Sequence, residues 1–346
     1  MVKTIKKHTL TIIIFLIILN IAIFFRLNLP EKEVVGSDFD AIYTETQKML
    51  KGESIYSRIL TGSLTDQFAG GYGKYPVLFP SVYYGMAVFS GFGKIDVGLL
   101  FKWLQIVILF SDFITSFIIF KVLNKSTGSI VAFVGVIFWL FNRWASNGYF
   151  GGAFDPIAFM FLAISTYNFK KLPVISAIFL AISILVKHFG LFVLPLYTII
   201  WFREYGIGRA IKYASIVVAP LFIISIPSLV RDYKGFFYSI MFNFTRKQDE
   251  DFFLPFMDQI SYQAYQQKNL SIRFLTLMIN RVYFLGSYFL ILLVPFYKKI
   301  SAYQVILLVF AWFFLFHSKA FAQYNIWLVG AIILSFAETF KEIKNV

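Results

Sequence analysis

The sequence predicts an all-α, polytopic membrane protein, and three observations carry that expectation. Apolar runs long enough to cross a bilayer recur along the chain, charge is scarce, and the basic residues sit in short clusters between the runs. Hydrophobic residues make up 59% of the 346 and charged residues 14%, with a mean hydropathy of +0.73; soluble domains carry about a quarter charged residues. A soluble fold of this size has too little interior for so much apolar side chain, whereas a bilayer solvates it. The net charge of +14 would otherwise point to nucleic acid. Its placement between apolar runs makes it a topology signal instead, so no nucleic-acid partner is expected. With no cysteine, disulfides and thiolate metal sites are excluded, and three histidines (His8, His188 and His317) make an all-histidine metal centre unexpected.

The apolar runs fall at 8–27, 75–92, 97–121, 128–146, 153–169, 172–187, 189–202, 210–230, 274–297, 301–317 and 322–338. Lys3, Lys6 and Lys7 precede the first run and Arg26 closes it without a small-residue cleavage site, so a retained span is expected rather than a signal peptide. The second run contains Pro76, Pro80, Gly85 and Gly91. It reads as a partial or re-entrant helix on the outer side, tolerated where protein or a watery cavity covers it. The other ten read as spans. Ten spans place every basic cluster (Lys3/Lys6/Lys7, Lys121/Lys125, Lys170/Lys171, Arg203/Arg209/Lys212, Lys298/Lys299 and Lys341/Lys344) on the cytoplasmic side. Both termini are then cytoplasmic. Residues 1–346 form a single transmembrane domain with two long outer loops, 28–74 and 231–271, the first of them acidic.

The first loop holds Gly36-Ser37-Asp38-Phe39-Asp40-Ala41-Ile42-Tyr43. Helical spacing gathers Phe39, Ile42, Tyr43, Thr46, Met49 and Leu50 on one face, with Glu45, Lys48 and Lys51 on the other, which predicts an amphipathic helix lying on the membrane surface. Ser37 and Asp40 have capping-box spacing. Asp38 is not used by the box and sits at the positive end of the helix dipole, which favours its charged form and suits a general base. Asp155 opens a later span after Gly151-Gly152-Ala153-Phe154, and Lys187-His188 forms an outer turn. A lysine at membrane depth is costly and a phosphate partner would offset it, as would snorkelling to the surface. Arg246 lies in the second loop, Arg281 interrupts an apolar run, and His317 and Lys319 close another span near Tyr324. One acid-bearing loop thus faces several cations at one membrane surface, where cations suit a lipid phosphate. Asp112, in mid-span, is expected to be buried and paired with a partner the sequence does not name.

Three segments carry a family resemblance: Asp38-Phe39-Asp40-Ala41-Ile42-Tyr43 and Gly52-Glu53-Ser54-Ile55-Tyr56 in the first outer loop, then Tyr75-Pro76-Val77-Leu78-Phe79-Pro80 at the start of the second apolar run. They resemble the opening of GT-C superfamily glycosyltransferases, in particular the polyprenol- or dolichol-phosphate-mannose-dependent mannosyltransferases with their D-x-D loop. The stretch from Asn147 to Asp155 resembles the family's G-Q-x-D segment, with Gly152 where glutamine is usual, and Ser183 to His188 resembles an outer turn bearing a lysine. Seven spans before residue 231 also match the superfamily layout.

The resemblance implies an inverting hexosyltransferase, with mannose as the expected sugar, that uses a polyprenyl-phosphate sugar donor and a lipid- or glycan-linked acceptor. Asp38 carries the role of catalytic base, and Asp40 that of the second acid of the motif. Asp155, Lys187, His188, Arg246, Arg281, His317 and Lys319 are candidates for holding substrate and phosphate. Members of the superfamily differ in their need for a divalent metal, so no cofactor is assigned. The site is expected to be extracytoplasmic in a cell membrane, where flipped lipid-linked sugars are accessible. A multi-span lipid or sugar transporter is the alternative; it would place ionisable residues near the midplane and show repeat symmetry.

Overall fold

The computed structural model describes residues 2–28, 38–56, 80–245, 270–316 and 324–344, with side chains undescribed at 2–8, 147–148, 150, 238–245, 270–281 and 341–344. Among them there is no strand. The helices in order are α1 (Val2–Leu27), α2 (Asp38–Leu50), α3 (Ser81–Phe89), α4 (Val97–Ser126), α5 (Ser129–Phe141), α6 (Arg143–Phe150), α7 (Asp155–Asn168), α8 (Pro173–Val186), a 3-10 turn (His188–Phe192), α9 (Leu194–Tyr205), α10 (Ile207–Thr245), α11 (Leu270–Tyr297), α12 (Ala302–Phe316) and α13 (Asn325–Lys344). Each apolar run read from the sequence contains a helix. Among the described residues, Thr9–Leu27, Val97–Ser126 and Ile207–Phe237 are long and apolar enough to cross a membrane. The apolar helices α7, α8, α9 and α12 have 12 to 15 residues, a rise of roughly 18–23 Å against a hydrocarbon core of about 30 Å. Leu16, Ile17 and Phe24 of α1, Phe222 and Ile223 of α10, and Phe289 and Leu290 of α11 are exposed, an apolar surface that suits lipid and not water.

Local chemistry sets the breaks. The run 128–146 divides at Asn142, which adopts extended φ/ψ and caps α6: its Oδ1 accepts from Ala145 N at 2.8 Å. Asp96 caps α4 by accepting from Gly98 N and Leu99 N. Helix α10 runs past the expected end of its span to Thr245 but breaks at Asp232 (φ −152°, ψ 69°), whose Oδ1 accepts from Gly235 N at 2.9 Å and restarts the helix. Helix α3 has nine residues, about 13 Å of rise, so the proline-rich second run is shorter than a span where it is described.

Among the described residues two large hydrophobic cores result, beside a small cluster of Tyr56 and Phe236. The larger surrounds Trp139, Phe159, Trp312 and Trp327 between α4, α5, α7–α10, α12 and α13. The smaller joins α2 and α3 to α4, α6 and α7 through Phe39, Ile42, Tyr83, Met86, Phe101 and Tyr149. This second core corrects the expected lie of α2. The helix is packed against protein on more than its apolar stripe, so Glu45 is buried and paired with Lys48 at 3.0 Å, whereas Leu50 is exposed. The unnamed partner of Asp112 is Arg26. They form an ion pair in which neither side chain is exposed, and Arg26 also donates to Leu140 O at 3.0 Å. This contact fixes the end of α1, which is otherwise largely exposed, against α4 and α5.

Candidate functional site

The site forms where the two cores meet, from the ends of four helices. Asp38 is the first residue of α2 and Asp155 the first of α7. Lys187 follows α8 in extended conformation (φ −151°, ψ 127°), and Trp327 comes from α13. Lys187 Nζ lies 2.5 Å from Asp155 Oδ2 and 3.6 Å from Asp38 Oδ2, and it sits over the Tyr324 ring, 5.0 Å from its centre. Trp327 Nε1 donates to Asp155 Oδ1 at 2.6 Å. Both oxygens of Asp155 are therefore engaged. Its side chain is 1% exposed, against 17% for Asp38 and 4% for Lys187.

Short polar ties hold these ends in register. Ser183 Oγ donates to Ala158 O at 2.8 Å, joining α8 to α7, and Ser81 Oγ donates to Leu185 O at 2.6 Å, joining α3 to the turn that presents Lys187. Gly152, with φ +57°, makes the bend before α7, and a Cβ there would stand 2.9 Å from Phe39 Cβ and 2.8 Å from Phe101 Cε2. The bare backbone lets the start of α2 approach Asp155 this closely. Phe189 seals the floor, its ring 4.7 Å from that of Tyr324 and 5.3 Å from that of Trp327.

The structure thus brings together Asp38, Asp155 and Lys187 of the residues singled out from sequence. Asp155 is committed to Lys187 and Trp327, which makes it an anchor for the lysine; a phosphate would meet a carboxylate there. His188, in the turn, is pushed down to about 4 by burial and then by the neighbouring Lys187, so near neutral pH it offers a ring N–H rather than a charge. Asp40 is half-buried on α2. Two residues along a helix turn by about 200°, so Asp40 does not share the face of Asp38. Among the described residues no group of three His, Cys, Asp or Glu side chains stands together as a metal site.

No protein-family model matches this chain, and no curated protein does. The site therefore stands on its own geometry.

Arg281 falls within α11, but its side chain is not described, and Arg246, His317 and Lys319 lie outside the described residues. Sequence reasoning missed Trp327 and the link from Arg26 to Asp112. The available signals were an indole near the start of a helix, whose N–H needs a buried acceptor, and an arginine closing an apolar run, which needs a carboxylate.

Proposed function

We propose that this protein is a membrane glycosyltransferase of the GT-C type. It transfers a hexose, with mannose the expected sugar, from a polyprenyl-phosphate donor to a lipid- or glycan-linked acceptor on the extracytoplasmic face. The observation that carries this reading is the meeting of Asp38 with the Lys187–Asp155 pair. A partly exposed carboxylate at the start of α2 is held beside a buried cation contributed by a distant part of the chain. Asp155 and Trp327 fix Lys187, and Lys187 in turn orients Asp38 by charge attraction.

In the reaction, the acceptor hydroxyl attacks the anomeric carbon as its proton passes to Asp38. The new glycosidic C–O bond forms, the C–O bond to phosphate breaks, and polyprenyl phosphate leaves with the electron pair. Attack opposite the leaving group inverts the anomeric centre. Arg246, Arg281, His317 and Lys319 are the candidates for meeting the leaving phosphate, with His188 as a neutral donor. The topology that goes with this reading has ten spans, cytoplasmic termini and the site outside. This topology counts the shorter apolar helices as spans. A transporter would route ionisable groups through the bundle, whereas the mid-helix Asp112 is closed off by Arg26.

The test supplies purified protein with radiolabelled polyprenyl-phosphate hexoses and a set of acceptors. Asp38→Asn and Asp38→Ala should lower turnover by about 10²–10⁴-fold, the usual contribution of a general base. Full turnover in both variants refutes the assignment of Asp38, and absence of transfer from every such donor refutes the enzyme class. Labelling of a cysteine placed at position 60 from the cytoplasmic side alone would invert the topology.

A further inference from the structure

A second cleft, with polar groups set among the apolar side chains of Met49, Ile55 and Pro227, lies at the other end of α2. It is formed by the turn after α2 (Glu53, Ser54, Tyr56), by Tyr84 of α3, and by Ser228, Arg231 and Asp232 at the break in α10, and it encloses about 190 Å³. That is smaller than the roughly 300–1,000 Å³ of pockets for drug-sized ligands, so a single small ring fits.

Its walls are built. Ser54 Oγ donates to Asp232 Oδ2, Arg231 donates to Gly52 O, and Tyr84 Oη and Ser228 Oγ share a hydrogen bond of 3.0 Å. At Gly235 a Cβ would lie 2.4 Å from Tyr56 Cβ and 2.6 Å from Asp232 Oδ2, so only glycine lets α10 close against the turn this tightly. Tyr56 is 3% exposed and its Oη sits beside Ser228, without the geometry of a full hydrogen bond to any described residue. Burial raises its phenol above the ordinary value, so it remains a protonated donor. A buried hydroxyl of this kind carries a cost until a ligand or water satisfies it.

We propose that this cleft binds one uncharged sugar ring through its hydroxyls. Asp232 and Glu53 supply acceptors, Arg231 supplies donors, and Tyr56, Tyr84 and Ser228 supply hydroxyls that do both. Two carboxylates beside one guanidinium disfavour a phosphate. The assignment of the ring to an acceptor rests on the glycosyltransferase reading. Asp38 and this cleft are separated by the length of α2, about 18 Å at 1.5 Å per residue. A ring bound here is therefore a distal unit of an extended acceptor whose far end reaches Asp38, and the enzyme would favour glycan acceptors several rings long over single sugars.

The experiment uses the full chain in nanodiscs and titrates methyl glycosides of glucose, galactose and mannose by saturation-transfer NMR, with no donor present. Asp38→Asn should bind the preferred glycoside as wild type does, whereas Tyr84→Phe and Asp232→Asn should each weaken it at least tenfold. Gel-filtration profiles like that of wild type establish that the variants are folded. The absence of saturable binding for all three glycosides, binding unchanged in both cleft variants, or competition by inorganic phosphate overturns the proposal. Binding with this pattern but no transfer from any lipid-phosphate sugar keeps the subsite and removes only the glycosyltransferase reading.

Discussion

Replacing Gly152 with alanine tests whether the close approach of α2 to α7 is what brings Asp38 to Lys187. The added Cβ would meet Phe101 Cε2 at 2.8 Å and Phe39 Cβ at 2.9 Å, where ordinary contact begins at 3.4 Å. The edge of the Phe101 ring can yield. Phe39 Cβ cannot move without its backbone, and that backbone adjoins Asp38, so the start of α2 must retreat by about 0.5 Å. The expected cost is ~1–2 kcal/mol for a side chain in left-handed backbone and ~1–3 kcal/mol for overpacking. Asp38, already at 3.6 Å from Lys187, is the contact that loosens, while Asp155 at 2.5 Å keeps the lysine. Gly206→Ala is the comparison. Gly206 has φ +84° and ψ 171° with nothing within 4 Å of a new Cβ, so it carries backbone strain without the clash. Thermal unfolding followed by fluorescence-detected gel filtration should fall in both variants. Transfer per folded molecule should fall at least tenfold in Gly152→Ala alone. Wild-type transfer in folded Gly152→Ala, or an equal loss in Gly206→Ala, refutes the reasoning.

Three further outcomes follow from the buried polar contacts. Arg26→Ala or Asp112→Ala should each cost about 3–5 kcal/mol of stability because a charge is left buried alone, while the double variant combining Arg26→Met with Asp112→Leu, an apolar pair, should recover most of it; denaturation in mild detergent measures all three. Trp327→Phe removes the donor to Asp155 Oδ1 and should cost about 1.5–3 kcal/mol, the usual worth of a hydrogen bond to a charged group, read by the same assay. His188 holds its proton less readily in the folded protein, about 4 against 6.5. As pH falls through that window, the unfolded chain takes up a proton that the native state refuses, so stability declines with acidity. Melting curves from pH 7 to 4 should lose part of that slope in His188→Gln, and an unchanged slope refutes this role for burial.

Much of the fold was legible because hydropathy is a local property. Each apolar run contains a helix, and α2 is described from Asp38 on, whereas the expected cap at Ser37 lies outside the described residues. The burial of Glu45 was not legible: a sequence period identifies one apolar stripe, but α3 and the Gly152 bend press on α2 from further sides. Asp112 could be read as buried, since an acid in mid-helix must be paired, but not as the partner of Arg26, because helix order in sequence does not set which helices touch. Lys187 stood out for its cost, whereas the role of Asp155 as its anchor depends on a distance of 2.5 Å and an indole from α13, which no local pattern contains. The Ser54–Asp232 contact is of the same kind, joining a loop to a helix break far along the chain.

The two acids on Lys187 are chemically alike, and geometry alone separates their roles. Asp155 is sealed, with both oxygens engaged, so Asp155→Asn strips the compensation from a buried lysine and should destabilise the protein by several kcal/mol, as loss of one partner of a buried pair does. Asp38 is partly exposed and 1.1 Å farther from the same nitrogen; partly solvated pairs contribute about 0–1 kcal/mol. Asp38→Asn should therefore melt within about 1 kcal/mol of wild type while losing transfer. An anchor and the proposed base thus differ in which measurement their removal moves. If Asp38→Asn lowers stability as far as Asp155→Asn does, then both acids belong to one structural lock, and the accessible carboxylate on which the proposed chemistry depends does not exist.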